Sequence, residues 1–366
     1  MREEHAPPLI GISPNERTAP ATRVVEIVPT DVLVRREVPL SVLITGGTGF
    51  VGAYVARRLI RDGREVVTLD NVPSNVIHKV LTPEEIVKVR FATGDVSSFL
   101  DVAHVIRDNE VDRVIHLASL LHPASNENPP LAVQVNIQGQ TTVLEAARLL
   151  ELKKVVWASS VVVFGSRDSH ERRILPNDAP HHPVNIYGAT KSFNEFLTDH
   201  YIGEWGVDAL GLRFTVVYGP GRVRGASSFA NELIKPAIGE PANVPFGDDV
   251  VDWQYVEDVA DLLVKCVDLP KTKTSVFNTQ FDRRSVSEAG AYVAELIPSA
   301  RITYQPGEFG IAWELDDSVF QEEIGFEPKF SMERGLREVL EHARIDAGLP
   351  PLGSPSEDVT KSSASN

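Results

Sequence analysis

Short apolar runs alternate along the chain with longer stretches in which apolar residues recur every three or four positions. The runs lie at 41–45, 65–69, 89–93, 112–117, 154–159 and 209–214, and the helical patterns between them are clearest at 50–62, 131–151 and 187–204. An apolar run this short, set between helices, reads as a strand buried on both faces, which a parallel sheet covered by its own crossover helices provides. The alternation therefore predicts an α/β chain of Rossmann type, with a doubly wound parallel sheet. Beyond residue 220, Gly and Pro interrupt the pattern at 236–247 and 306–310, and residues 221–345 read as a smaller C-terminal lobe set against a main domain at 41–220. Residues 1–40 form an extension mixing Pro-containing segments with two short apolar runs, and residues 346–366, poor in large apolar side chains, read as a disordered tail.

Composition narrows the class. With 366 residues and 42% apolar content the chain has enough material for a sizeable core. Its 36 basic and 51 acidic residues leave a net charge of −15, which opposes capture by nucleic acid or an anionic membrane, so neither is expected as a partner. No apolar run is long enough to span a bilayer, the first residues lack the apolar core of a secretory signal, and there is one cysteine, so a cytoplasmic protein is expected. That cysteine, Cys266, falls in the apolar pattern Leu262–Val267 and reads as a buried structural thiol. No spacing of His, Cys and Glu suggests a metal site.

The candidate chemistry begins where the first run ends. Ser41-Val42-Leu43-Ile44 leads into Thr45-Gly46-Gly47-Thr48-Gly49-Phe50-Val51-Gly52, after which helical periodicity starts. Glycines at 46, 49 and 52 permit a tight turn, close approach of backbone to a pyrophosphate and close helix packing, with the helix N-terminus facing the phosphates. The next strand ends on Asp70, roughly 20 residues on, where a carboxylate bonds both hydroxyls of a ribose and repels a 2′-phosphate. Strand, loop, helix and acidic residue agree on a dinucleotide site that favours NAD over NADP.

Further along, Tyr187 and Lys191 stand at i and i+4 in YGATK and so share one helix face. An ammonium there stabilises a phenolate and makes it a usable base. Hydride leaves a carbinol carbon only as the hydroxyl proton departs, so oxidation needs a base beside the hydroxyl and a donor that holds the oxygen. Tyr187 is the candidate acid/base, Lys191 its electrostatic tuner, and one of the pair Ser159-Ser160 the hydrogen-bonding partner of the reacting oxygen. His116 closes an apolar run and reads as a core imidazole; His181-His182, beside prolines, reads as loop.

With these pieces in this order, residues 41–345 resemble the extended short-chain dehydrogenase/reductase family, the NAD-dependent epimerase/dehydratase group. Gly94-Asp95-Val96, His116-Leu117-Ala118-Ser119, the segment around Asn136, Ala158-Ser159-Ser160 running to Gly165, Leu212-Arg213-Phe214, YGPGR at 218–222 and Tyr255–Ala260 all take part. The resemblance implies that Gly46, Thr48, Gly49, Phe50, Val51, Gly52 and Asp70 bind NAD. It further implies that Asp95 and Val96 meet the adenine, that Leu117, Ala118, Ser119 and Asn136 line the dinucleotide, and that Tyr187 and Lys191 border the nicotinamide ribose. It selects Ser160 as the catalytic serine.

Departures from the family pattern bear on the substrate. Sugar-nucleotide dehydratases carry an Asp-Glu pair after the catalytic hydroxyl and related decarboxylases a glutamate, where this chain has Val161-Val162. Many sugar-nucleotide epimerases place a diphosphate-clamping arginine at the position of Val251, and an asparagine at that of Thr215. These changes point away from a nucleotide sugar. Arg222 and Arg224, in a Gly-rich loop, are the candidates to meet an anionic substrate group, and Leu120-Leu121-His122-Pro123 to wall the pocket. The HLASLL run is also similar to the threonine-dehydrogenase branch of the family. The expectation is an NAD-dependent oxidoreductase acting on a small molecule at a secondary alcohol or ketone, with sugar or sugar-nucleotide epimerisation as the rival. Apolar Phe193, Phe196, Leu197 and Tyr201 on the helix that begins near Tyr187, in a family that pairs such helices, imply a homodimer.

Overall fold

The computed structural model describes residues 41–311 and 314–353. The extension read at 1–40 and residues 354–366 of the tail lie outside the described residues. Seven strands make the main sheet: β1 (Ser41–Thr45), β2 (Glu65–Asp70), β3 (Val89–Thr93), β4 (Val111–His116), β5 (Lys154–Ser160), β6 (Ala209–Phe214) and β7 (Val276–Asn278). Their order is β7-β6-β5-β4-β1-β2-β3, and every pairing is parallel. This is the doubly wound sheet expected from the sequence, and the order reverses between β1 and β4. Outside the carboxyl ends of those strands such a sheet opens a crevice.

The two faces follow from the alternation of side chains along a strand. On β1, Val42 and Ile44 join one apolar cluster with Val55 and Leu59, while Leu43 joins another with Val67, Leu69 and Val114. Helices α1 (Phe50–Arg61) and, much later, Val256–Asp268 cover the first face. Helices α2 (Phe99–Asp108), α3 (Gly139–Leu149) and α4 (Ile186–Trp205) cover the second. Each fully buried Leu or Ile in these layers contributes about 1.5–3 kcal/mol. Cys266 is buried in the first layer, and burial pushes its thiol up to about 12, which makes it inert at neutral pH.

One departure from regular helix bears on the site. Pro129–Ala132 and α3 are joined by a π-turn at Val133–Gln138, which carries Asn136. Such turns insert one extra residue per turn and re-aim the side chains they carry.

After β6 the chain crosses Thr215 and at once enters a second sheet, in which Val216–Tyr218 pairs with Val250–Tyr255 and that strand with Asp282–Ser285. Ala242–Pro245 pairs with Ile302–Gln305 beside it. Trp253, Tyr218, Leu233 and Leu336 fill a separate apolar cluster there. Residues 347–353 fold back on the helix Met332–Asp346: Leu352 packs on this cluster and its N–H donates to Glu341 Oε2 at 3.1 Å. Among the described residues no helix is long and apolar enough to cross a membrane.

Candidate active site

At the carboxyl end of β1 the glycines are required by contact. Gly46 has φ +70°, and a Cβ there would lie 2.9 Å from the Ala118 nitrogen. A Cβ on Gly52 would meet Gly46 O at 2.4 Å and Gly47 Cα at 2.7 Å, so α1 can approach the loop only without one. Gly49 caps α1 without a side-chain bond, and no acidic residue lies in its first turn. The positive end of the helix is thus not neutralised by the chain itself, as a pyrophosphate site needs. At the end of β2, Asp70 Oδ2 accepts the Thr48 N–H at 3.1 Å. Burial raises the Asp70 carboxyl, against hydrogen bonds from Thr48 and Gly47 that favour its charge. Thr48 Oγ1 in turn accepts the Ser74 N–H at 2.9 Å. Phe50 and Val51 open α1 and pack on the first core layer.

Further along the crevice, Leu117 N–H donates to Thr45 O at 3.0 Å and Ala118 N–H to Thr45 Oγ1 at 3.3 Å, which pins the segment after β4 to the Gly-rich loop. Asp95 Oδ1 accepts from Ser97 N–H and Oγ, and its Oδ2 from Gln134 Nε2. Val96 is 7% exposed and would be met at 2.9 Å by a Cβ on Gly139. Asn136, read as lining the dinucleotide, has its amide engaged within the protein. Oδ1 accepts from Ser119 Oγ (3.1 Å) and Leu120 N–H (2.7 Å), and Nδ2 donates to Leu120 O (3.1 Å) and Thr190 Oγ1 (3.0 Å). It braces the crevice from behind. His116 is buried beside Thr45, its Nδ1 2.6 Å from Thr45 Oγ1, and burial, with the Lys191 charge adding, pushes it down to about 3. It is a neutral core imidazole.

The paired serines part company because successive residues of a strand face opposite ways. Ser159 Oγ bonds Glu195 Oε1 at 2.5 Å, inside a buried network in which Arg213 donates to Glu195 from Nε and Nη2 and His181 Nε2 stands 3.2 Å from Oε2. Ser160 turns the other way, to the side of Tyr187, whose phenolate it favours, and its Oγ accepts the Val162 N–H at 3.4 Å. Helix α4 brings Tyr187 there. Its N-cap Asn185 accepts the Gly188 N–H at 2.8 Å, and Gly188 lets the helix close on the turn after β5, where a Cβ would stand 2.7 Å from Val162 O. One turn along, Lys191 Nζ donates to Ala158 O at 2.7 Å and lies 5.6 Å from the centre of the Tyr187 ring.

Burial dominates the titration of both groups. It lowers the Lys191 ammonium to about 8, with Glu195 opposing. It raises the Tyr187 phenol to about 12, against the charge of Arg222 and the bond with Ser160. Arg222 is a nearby cation that the i and i+4 pattern could not reveal. Its guanidinium lies 5.3 Å over the Phe50 ring, and burial pulls it down to about 10, with Tyr187 opposing. Arg224, which the sequence set beside it, is exposed and makes no such approach. His122 keeps Nδ1 buried with no hydrogen-bond partner among the described residues. Thr215 Oγ1 donates to Asp252 Oδ2 at 2.8 Å; burial raises Asp252 to about 6, against bonds from Phe281, Thr215 and Gln254. Val251 is 1% exposed within the apolar cluster of the lobe.

The sequence reading missed Glu195. It stands at i+4 from Lys191, on the same helix face, and that spacing was a visible signal; its partner Arg213 becomes visible only from the strand register that sets Ser159 opposite Arg213. Among the described residues no group of three or more His, Cys, Asp or Glu could hold a metal ion.

Comparison with known proteins shows the family. A family model described as NAD dependent epimerase/dehydratase family matches residues 42–279. An "uncharacterized epimerase/dehydratase" of Staphylococcus aureus (strain MRSA252) is 29% identical over 318 residues, covering 82% of this chain and 95% of its own. Among solved structures, UDP-glucose 4-epimerase of Thermus thermophilus in complex with NAD superposes with a TM-score of 0.70 at 26% identity, covering 83% of this chain and 99% of that one. The L-threonine dehydrogenase of Phytophthora infestans superposes with a TM-score of 0.74 at 23% identity, covering 84% and 99%, a likeness of fold.

Proposed function

The chain belongs to the NAD-dependent epimerase/dehydratase family and is an NAD-dependent enzyme of the extended short-chain dehydrogenase type, and from that premise we propose that it oxidises a secondary alcohol of a small molecule, or reduces the matching ketone, at a site made by Ser160, Tyr187 and Lys191. The observation that carries the reading is that Ser160 stands near enough to Tyr187 to favour its phenolate, with Lys191 Nζ 5.6 Å from the ring of that tyrosine. The Gly46–Gly52 loop and Asp70 would hold the cofactor, an assignment supported by the Cβ-free approach of α1 and by its unneutralised N-terminus.

Bound NAD supplies the acceptor or donor of two electrons. In the direction of oxidation, Tyr187 as phenolate takes the proton of the substrate hydroxyl, and in reduction its phenol returns it. Ser160 Oγ donates to the same oxygen and fixes its position. With the phenol at about 12, the base form depends on the cations beside it, and each unit of lowering is worth about 1.4 kcal/mol. Lys191 and Arg222 supply that positive field. Lys191 Nζ is also held in place by its bond to Ala158 O.

Epimerisation is the second reading, favoured by the likeness to a 4-epimerase. Against a nucleotide sugar stands Val251, buried in the lobe's apolar cluster where a diphosphate would need a bidentate cation. A substrate panel assayed with added NAD separates the two. Stoichiometric NADH is expected; product formed with no net NADH would replace the dehydrogenase reading by the epimerase one. The site further supports a homodimer through α4, since Phe193 and Phe196 are 45% and 70% exposed. Light scattering at the monomer mass would overturn that.

A further inference from the structure

In a chain with 51 acidic residues, arginines find carboxylates readily: Arg57, Arg58 and Arg61 on α1 and Arg64 just after it all do. Arg222 does not. Its Nε is buried with no hydrogen-bond partner, and its guanidinium forms no salt bridge among the described residues. The fold nonetheless makes room for it. Gly225, at φ +93°, leaves a gap that a Cβ would close, standing 2.6 Å from Arg222 Nη2 and 3.1 Å from Leu121 Cδ1. The Phe50 ring lies below the guanidinium. A desolvated cation without a counter-charge is costly, and such a group persists where a ligand supplies the charge.

We propose that Arg222 binds a carboxylate of the substrate, so that the enzyme acts on a small hydroxy or oxo acid whose reacting carbon lies a few bonds from its carboxylate. The inference rests on the hydride-transfer reading above only for the identity of the reacting carbon. The guanidinium offers paired donors that match two carboxylate oxygens. The charge count favours one negative group. Arg224 is exposed, position 251 is an apolar valine, and a diphosphate would leave charge unmatched. The walls are apolar at Leu121 and Phe50, which suits a short carbon skeleton, and His122, next to Leu121, holds a second buried polar atom without a partner, Nδ1.

The other anion within reach of a residue over Phe50 is the cofactor's own pyrophosphate, and the test separates the two. The protein–NADH complex is titrated with lactate, 3-hydroxybutyrate and L-threonine, and with the methyl ester of each, read by NADH fluorescence. These alcohols cannot turn over with reduced cofactor, so binding is measured without catalysis. At least one acid is expected to bind about 10-fold or more tighter than its ester, and Arg222→Gln to abolish that preference while changing NADH affinity less than about 2-fold. Esters binding as well as acids, no acid binding, or a main loss in NADH affinity in R222Q would each overturn the proposal. The ester comparison uses the unmodified protein and stands whatever the variant's folding. Acid capture with no NADH formed from NAD would instead sink the redox reading and leave the anion site intact.

Discussion

The two ends of the crevice are built from different materials. At the proposed dinucleotide end the determining atoms belong to the backbone: Gly46 and Gly52 are needed for approach, Thr48 N–H holds Asp70, and the α1 N-terminus would supply the positive pole. At the reacting end they are side chains gathered from β5, α4 and the loop after Val216–Tyr218, each held by burial and a few partners. Backbone-built sites need residues at fixed spacing on one stretch of chain; side-chain-built sites need elements far apart in sequence to meet. The first kind is therefore readable as a motif and the second only in part.

That contrast can be broken from either end. The largest effect expected is Tyr187→Phe, which removes the proton carrier and should lower kcat/KM about 1,000-fold in the NADH assay with melting temperature little changed. Retained turnover would move the chemistry elsewhere. Next comes Glu195→Ala, which strands Arg213 in the core and should cost about 3 kcal/mol in urea unfolding. Burial alone would raise Glu195, but His181 and Arg213 outweigh it and hold the carboxyl down to about 2 from an ordinary 4.5. Its contribution is thus present above pH 4.5 and lost as pH falls toward 2, so the wild type should lose melting temperature more steeply across that window than the variant.

At the dinucleotide end, Gly52→Ala should weaken NAD binding about 100-fold by fluorescence titration, since the clash is with backbone that cannot swing aside. Unchanged affinity would show that the loop relaxes. The smallest effect is Asp70→Ala, expected to shift the NAD to NADP preference about 10-fold through loss of a charge that repels a 2′-phosphate.

Apolar runs located β1 to β6: β1, β2, β5 and β6 are continuous stretches buried on both faces, while the edge strand β3 was found by its run although only Val89 in it is buried. They missed β7, whose three residues lie within the stretch read as the lobe and are too short to show a period. The strands of the lobe, three to six residues broken by Gly and Pro, gave no usable pattern either. Within the site, Tyr187 and Lys191 were legible because one helix face carries both. The resemblance chose Ser160 over Ser159; the residues alone leave that choice to the orientation of β5, and separating Arg222 from Arg224 needed the loop geometry at Gly225, with Arg224 exposed. Asn136 was legible as a polar residue of the helical pattern, but its partners Ser119, Leu120 and Thr190 were not, because a π-turn sets its direction.

That side chain has a mechanical meaning. By holding Leu120 at both its N–H and its C=O, and Thr190 on the helix of Tyr187, one amide fastens the proposed wall of the pocket to the proposed carrier of the proton. A molecule that fits badly against Leu120 cannot push the wall aside without also tilting Tyr187 off line. Selection among substrates and alignment for reaction would then be a single movement.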